Sequence, residues 1–147
     1  MKKLNRKGFT LIELLAIIVI LAIIMVVTIP TILNATETAT EKQLKNAADS
    51  IEKWVSDQYV LAGVSAADAN FTTVCGAVGD DCETEVDIKT KTGADAFLKA
   101  AGVLPTDFSS VKITIDNTTK RVCVKVTASD TGSFSSVKGT TKNSNGC

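Results

Sequence analysis

Glu13 poses the sharpest chemical question in this chain. It lies near the start of an apolar run that reaches from Phe9 to Leu33, and Leu14–Val27 contains no polar side chain at all. An ionised carboxylate in hydrocarbon costs roughly 2.5–3.5 kcal/mol on insertion scales, so it needs a compensating cation and a reason to be there. Just upstream, Lys2, Lys3, Arg6 and Lys7 form a short cationic leader that ends in Gly8. The basic leader, the Gly8-Phe9 junction and a glutamate four residues past that junction together point to processing and assembly, not to a plain anchor. The chain itself contains no histidine. Ser-His and Cys-His catalytic arrangements are therefore excluded, and the commonest metal ligand is missing. No catalytic residue, cofactor or metal site is expected, and the chain does not read as an enzyme.

Cys75, Cys82, Cys123 and Cys147 all lie beyond the apolar run. An even number of cysteines on one side of a membrane reads as disulfides in an oxidising space. Tight Cys-x-x-Cys pairs, which a tetrathiolate zinc site would want, do not occur. Asp80, Asp81, Glu83, Glu85 and Asp87 form an acidic cluster. Carboxylate oxygens suit calcium, but the spacing fits no EF-hand loop, and a solvated acidic loop is the expectation.

These groups must be positioned by a long helix and a small head. The 25 residues from Phe9 to Leu33 would cover about 37 Å as a helix, enough to cross a ~30 Å hydrocarbon core. The β-branched content does not argue for a strand, because only a helix satisfies a lone backbone in lipid. The basic leader belongs on the cytoplasmic side, which places everything after Leu33 outside. No small-x-small cleavage site follows Leu33, so the apolar run is expected to stay with the mature protein. Pro30 should kink or loosen the helix near its outer end.

Helical character continues beyond Leu33. Leu44, Ala47, Ala48, Ile51, Val55 and Tyr59 form one stripe flanked by Trp54, with Glu41–Lys45 and Asp49–Lys53 as i,i+4 pairs on the other side. One helix over Phe9–Leu61 is predicted, ended by Gly63. Residues 62–92 read as a polar, turn-rich connection, and residues 93–102 as a short helix stopped by Gly102. Val111, Ile113 and Ile115, then Val122, Val124 and Val126, alternate with polar residues about a turn at Asp116–Lys120. That pattern is a hairpin with one apolar face, to be laid against the helix stripe. The tail Thr127–Cys147 has too little apolar content to hold itself down, and a terminal cysteine would staple it. The preferred pairing is Cys75–Cys82 with Cys123–Cys147, against the two other connectivities that four cysteines allow. The fold class is α+β: a long N-terminal helix on a small, disulfide-stapled antiparallel sheet.

Lys7-Gly8-Phe9-Thr10-Leu11-Ile12-Glu13 resembles the processing site of type IV pilins and their relatives, the secretion-system pseudopilins. The resemblance covers roughly residues 1–60. It implies cleavage after Gly8 by a prepilin peptidase that then N-methylates Phe9. It also implies that Glu13 meets the amine of a neighbouring subunit, and it matches Pro30 to the proline along the family's helix. The expected partners are that peptidase, other copies and related pilins in a helical filament, an assembly platform, and membrane lipid before assembly. The C-terminal disulfide loop would resemble one that many pilins carry.

The organisation expected is a leader over residues 1–8, a membrane and assembly helix over 9–33, its amphipathic continuation over 34–61, and a head over 62–147. The function expected is that of a filament subunit serving adhesion, motility or DNA uptake. The alternatives are a pseudopilin of a type II secretion or competence system, or a single-pass membrane-anchored binding module. The protein would begin in the bacterial cytoplasmic membrane and end in a surface filament. Positive and negative side chains number 16 each, and loss of the four-cation leader leaves 12 against 16, a formal −4. Nucleic acid is not the expected partner: Lys112, Arg121 and Lys125 on the outer hairpin face are dispersed cations, which read as a solvated face.

Overall fold

The computed structural model describes residues 9–147. They fall into two compact units, one ending at Thr36 and one spanning Glu37–Cys147; helix α1, Leu11–Ala62, contributes to both.

In the first unit α1 buries none of its side chains. Its central stretch reaches a mean hydropathy of 3.2, and it is long and apolar enough to cross a membrane. Pro30 lies within the helix, which continues on both sides of it. Proline has no N–H to give the carbonyl four residues back. Two neighbouring threonines bond to carbonyls of this turn: Thr28 Oγ1 donates to Ile24 O at 2.9 Å and Thr31 Oγ1 to Val27 O at 3.3 Å.

In the second unit the stripe of α1 is the floor of the core. Leu44, Ala48, Ile51 and Val55 are fully buried, while Ala47, Trp54 and Tyr59 pack at the margin. The Trp54 ring stands edge-on to Phe97, with centroids 4.8 Å apart, and to Phe71 at 6.3 Å. The polar face does not form the two local pairs expected. Lys45 bridges to Asp49 at 3.0 Å, while Glu41 receives Lys142 at 2.7 Å. Glu41 thus takes a partner distant in sequence, while Asp49 pairs with Lys45, the i,i+4 neighbour on its other side.

The end of α1 also differs from expectation. Ala66 N–H donates to Leu61 O and Ser65 N–H to Ala62 O, and Ser65 holds a left-handed φ of 55°. This is a Schellman-type stop with serine, not Gly63, at the left-handed position. Gly102 does play the expected part after α3, Ala94–Ala100: it has φ +80°, and Val103 N–H reaches back to Leu98 O.

Residues 62–92 are more ordered than a turn-rich connection. Helix α2, Ala69–Cys75, is capped by Asp68, whose Oδ1 accepts Asn70 N–H at 2.8 Å. It buries Phe71, Val74 and Cys75. The chain then makes a single turn at Asp80–Cys82 and forms strand β1, Val86–Asp87. Strands β2, Phe108–Asp116, and β3, Arg121–Ala128, form the hairpin, and β4, Thr141–Asn143, completes an antiparallel sheet in the order β1-β2-β3-β4. Val111 faces Val126, Ile113 faces Val124 and Ile115 faces Val122, so one face of the hairpin enters the core whole.

The tail is held by more than a staple. Phe134 and Val137 are buried, β4 pairs with β3, and Ser144 exchanges two hydrogen bonds with Val124. Asn145 N–H and Gly146 N–H donate to Asp49 and Glu52 of α1, each at 2.9 Å. Gly146 must be glycine, because a Cβ there would run into Val122 O and the Glu52 carboxylate. Disulfides join Cys75 to Cys82 and Cys123 to Cys147.

Serine in the left-handed region is strained, so Ser65→Gly should raise the unfolding free energy of the head by about 0.5–1 kcal/mol. The check is a chemical-denaturation midpoint of the reconstituted protein; a lowered midpoint would show that the side chain, not the backbone, carries this turn.

Candidate processing and assembly site

The first turn of α1 organises the residues singled out at the N-terminus. Thr10 is the last residue before the helix, and Glu13 lies three positions on. Glu13 N–H donates to Thr10 Oγ1 at 3.3 Å. In return Glu13 Oε2 accepts Thr10 N–H at 3.1 Å and the Thr10 hydroxyl at 3.0 Å. This is a reciprocal capping box, which satisfies amide donors that a helix start otherwise leaves open. It also sets a negative charge where the helix dipole favours one. Thr10 is the functional neighbour that a reading centred on Glu13 alone passes over; its signal is the Thr-x-x-Glu spacing ahead of an apolar run. Both Thr10 donors converge on Oε2, and among the described residues none reaches Oε1.

Phe9 is exposed, as is every large apolar side chain from there to Leu33. An apolar surface this extended marks contact with lipid or with other protein. Gly8 and the cationic leader lie outside the described residues. Pro30 lies further along the same helix, whereas the four cysteines belong to the second unit.

In the head the expected charge groupings are redistributed. Glu85 is clasped by two cations, Lys112 at 2.9 Å and Lys125 at 3.0 Å, which are direct cross-strand neighbours. Its hydrogen bond with Lys112, then that with Lys125, holds the Glu85 carboxyl below its ordinary range, and the same contact raises Lys112. Arg121 sits opposite Asp116 at the mouth of the hairpin. Thr119 and then Thr118 donate to the Asp116 carboxylate and keep it low as well. The cations of the outer face are thus interleaved with acids, two lysines sharing Glu85 and Arg121 lying opposite Asp116. The acidic cluster is dispersed too. Asp87 accepts Lys89 N–H and the Ser110 hydroxyl, Glu83 accepts from Asn117, and Glu85 serves the lysines. Among the described residues no group of three or more His, Cys, Asp or Glu could hold a metal ion.

Residues 3–29 match the family described as the prokaryotic N-terminal methylation motif, a motif characteristic of type IV pilins and pseudopilins. No curated protein and no solved structure matches the chain. A long apolar N-terminal helix, a small four-stranded antiparallel sheet and two disulfides make the architecture an α+β, type IV pilin-like one. The motif match supports a pilin- or pseudopilin-like protein.

The clasp on Glu85 links the head's stability to pH. A carboxyl whose folded pKa lies below its ordinary 4.5 contributes stability that is present above that value and is lost as the pH falls through the folded pKa. Glu85→Gln should therefore lower the denaturation midpoint at pH 7 and leave it nearly unchanged at pH 3. The effect will be small because all three side chains are partly exposed. Equal losses at both pH values would show that the contact acts through packing.

Proposed function

We propose that this chain is a prepilin, cut after Gly8, N-methylated on Phe9, and polymerised through α1 into a type IV pilus. The match to the methylation motif over residues 3–29 carries the reading. The head is expected outside the cytoplasmic membrane and then on a surface filament, in keeping with two disulfides. The C-terminal loop closed by Cys123–Cys147 resembles that of many pilins and favours a pilus subunit over a pseudopilin.

The mechanism is assembly. Before the cut, the cationic leader pins the helix across the bilayer with its N-terminus inside. The cut releases an ammonium at Phe9. In the filament, that ammonium of one subunit approaches Glu13 of the next through the carboxylate oxygen that Thr10 leaves unoccupied. Apolar helix packing supplies cohesion. The ion pair, formed where water is scarce, fixes the axial register.

The N-terminus of the mature protein decides the matter. Mass spectrometry should find N-methylphenylalanine from Phe9; a chain that keeps Met1 and its lysines would instead be a membrane-anchored binding module. Gly8→Leu should leave an unshifted precursor on a gel.

Glu13→Gln separates the two roles of the glutamate. Glutamine can still close the capping box, but it carries no charge. The variant should insert and be cleaved normally, yet yield few or no filaments by electron microscopy; wild-type yields would remove the ionic step.

A further inference from the structure

A groove of about 480 Å³ lies in the second unit, lined by Ser56, Tyr59, Val60, Gly63, Val78 and Lys120. This is within the range of small-molecule sites, roughly 300–1,000 Å³. Val60 and Val78 are 73% and 59% exposed, among the most exposed apolar side chains of the head. Gly63, also in the lining, adds no side chain to the groove.

The polar end of the groove is held in place by several contacts. Gly79, in the loop closed by Cys75–Cys82, has φ +83°, and a Cβ there would lie 2.7 Å from the Tyr59 ring, so the ring lies against bare backbone. The Tyr59 hydroxyl donates to Asn117 Oδ1, and Asn117 Nδ2 donates to Glu83. With its only proton so committed, the hydroxyl accepts from Lys120 Nζ at 3.2 Å. The same ammonium lies 5.5 Å from the centroid of the Tyr59 ring, and among the described residues no carboxylate lies within ion-pair distance of it. Ser56 adds a half-buried hydroxyl with no hydrogen-bond partner among the described residues.

Lys120 also holds φ at +58°, the left-handed position that closes the hairpin turn. Glycine fits there without strain, whereas a side chain costs about 1 kcal/mol or more. The lysine at this position reaches Tyr59 at the polar end of the groove.

The geometry points to a binding site for a small anionic amphiphile. Its acidic group would be received by Lys120 Nζ and the Ser56 hydroxyl, and its apolar body would lie over Gly63 between Val60 and Val78. An aryl carboxylate has this chemistry, and a single charge-assisted contact over a shallow floor implies a Kd on the order of 0.1 mM. The inference does not depend on cleavage or polymerisation.

The test is a titration of the full chain in phosphatidylcholine nanodiscs with 2-naphthoate, followed by NMR of Tyr59, Val60, Val78 and Lys120. The neutral isostere 2-naphthylmethanol is run in parallel. Saturable shifts are expected with the carboxylate, and at least roughly tenfold weaker binding with the alcohol. Lys120→Gly should bind naphthoate roughly ten- to a hundredfold more weakly while raising the denaturation midpoint, because the strain leaves with the side chain. Val78→Asp should also abolish binding, with Lys120 untouched. Absent saturation, equal binding of the alcohol, unchanged binding by Lys120→Gly or a lowered midpoint in that variant would each overturn the assignment.

Discussion

A helix satisfies its own backbone, and this constraint lets α1 serve two environments. From Leu11 to Ala62 the peptide groups pair along the axis except at Pro30, so the side chains decide what each stretch can lie against. The first stretch is apolar on all sides and buries nothing within the chain. The second narrows to a stripe through Leu44, Ala48, Ile51 and Val55 on which the head is built. Only the helix start leaves amides open, and there Thr10 and Glu13 satisfy one another. The acid that looks least suited to an apolar segment therefore first completes the helix it begins.

The head is small, and its tail shows how a weak core is supplemented. Residues 129–147 bring few apolar groups beyond Phe134 and Val137. The Cys123–Cys147 link, spanning 24 positions, contributes roughly 3–4 kcal/mol in the chain-entropy model. Exposed pairs such as Lys142–Glu41 contribute at most about 1 kcal/mol each. The covalent link is the dominant restraint, while β4, Ser144 and the α1 acids set the path of the tail. Those acids explain why the polar face of α1 ignores some of its own neighbours: Asp49 and Glu52 receive amides from the C-terminus, and Glu41 takes Lys142.

Periodicity made the long elements legible. The 3.6-residue stripe located the core face of α1, and strict alternation located β2 and β3 with the correct side inward. Among the short elements α3 was legible through its stop at Gly102, whereas α2, β1 and β4 were not, because their stability is tertiary. Helix α2 has seven residues and relies on the Asp68 cap and on Gln58, which accepts Asp68 N–H. Strand β1 has two residues and exists through its pairing with β2. Glycine content misled at the end of α1, where backbone geometry placed the left-handed turn on Ser65. At the N-terminal site the motif residues stood out from composition alone. The role of Thr10 was written in the same seven residues, but it required reading Glu13 as part of a helix start as well as a charge.

That second reading changes the energetics of the proposed assembly. A glutamate with no local partner would make filament formation the rescue of a stranded charge, and the full desolvation penalty would favour any neighbour able to supply a cation. A glutamate already accepting two hydrogen bonds from Thr10 is partly compensated before assembly. A partner ammonium then contributes only the difference between two satisfied states. Such a difference is too small to hold subunits together by itself, but it is steep in geometry, since only one axial offset brings the cation to the remaining oxygen. Cohesion then falls to the exposed apolar surface between Phe9 and Leu33, which packs with little regard to register, and the choice of register falls to Glu13.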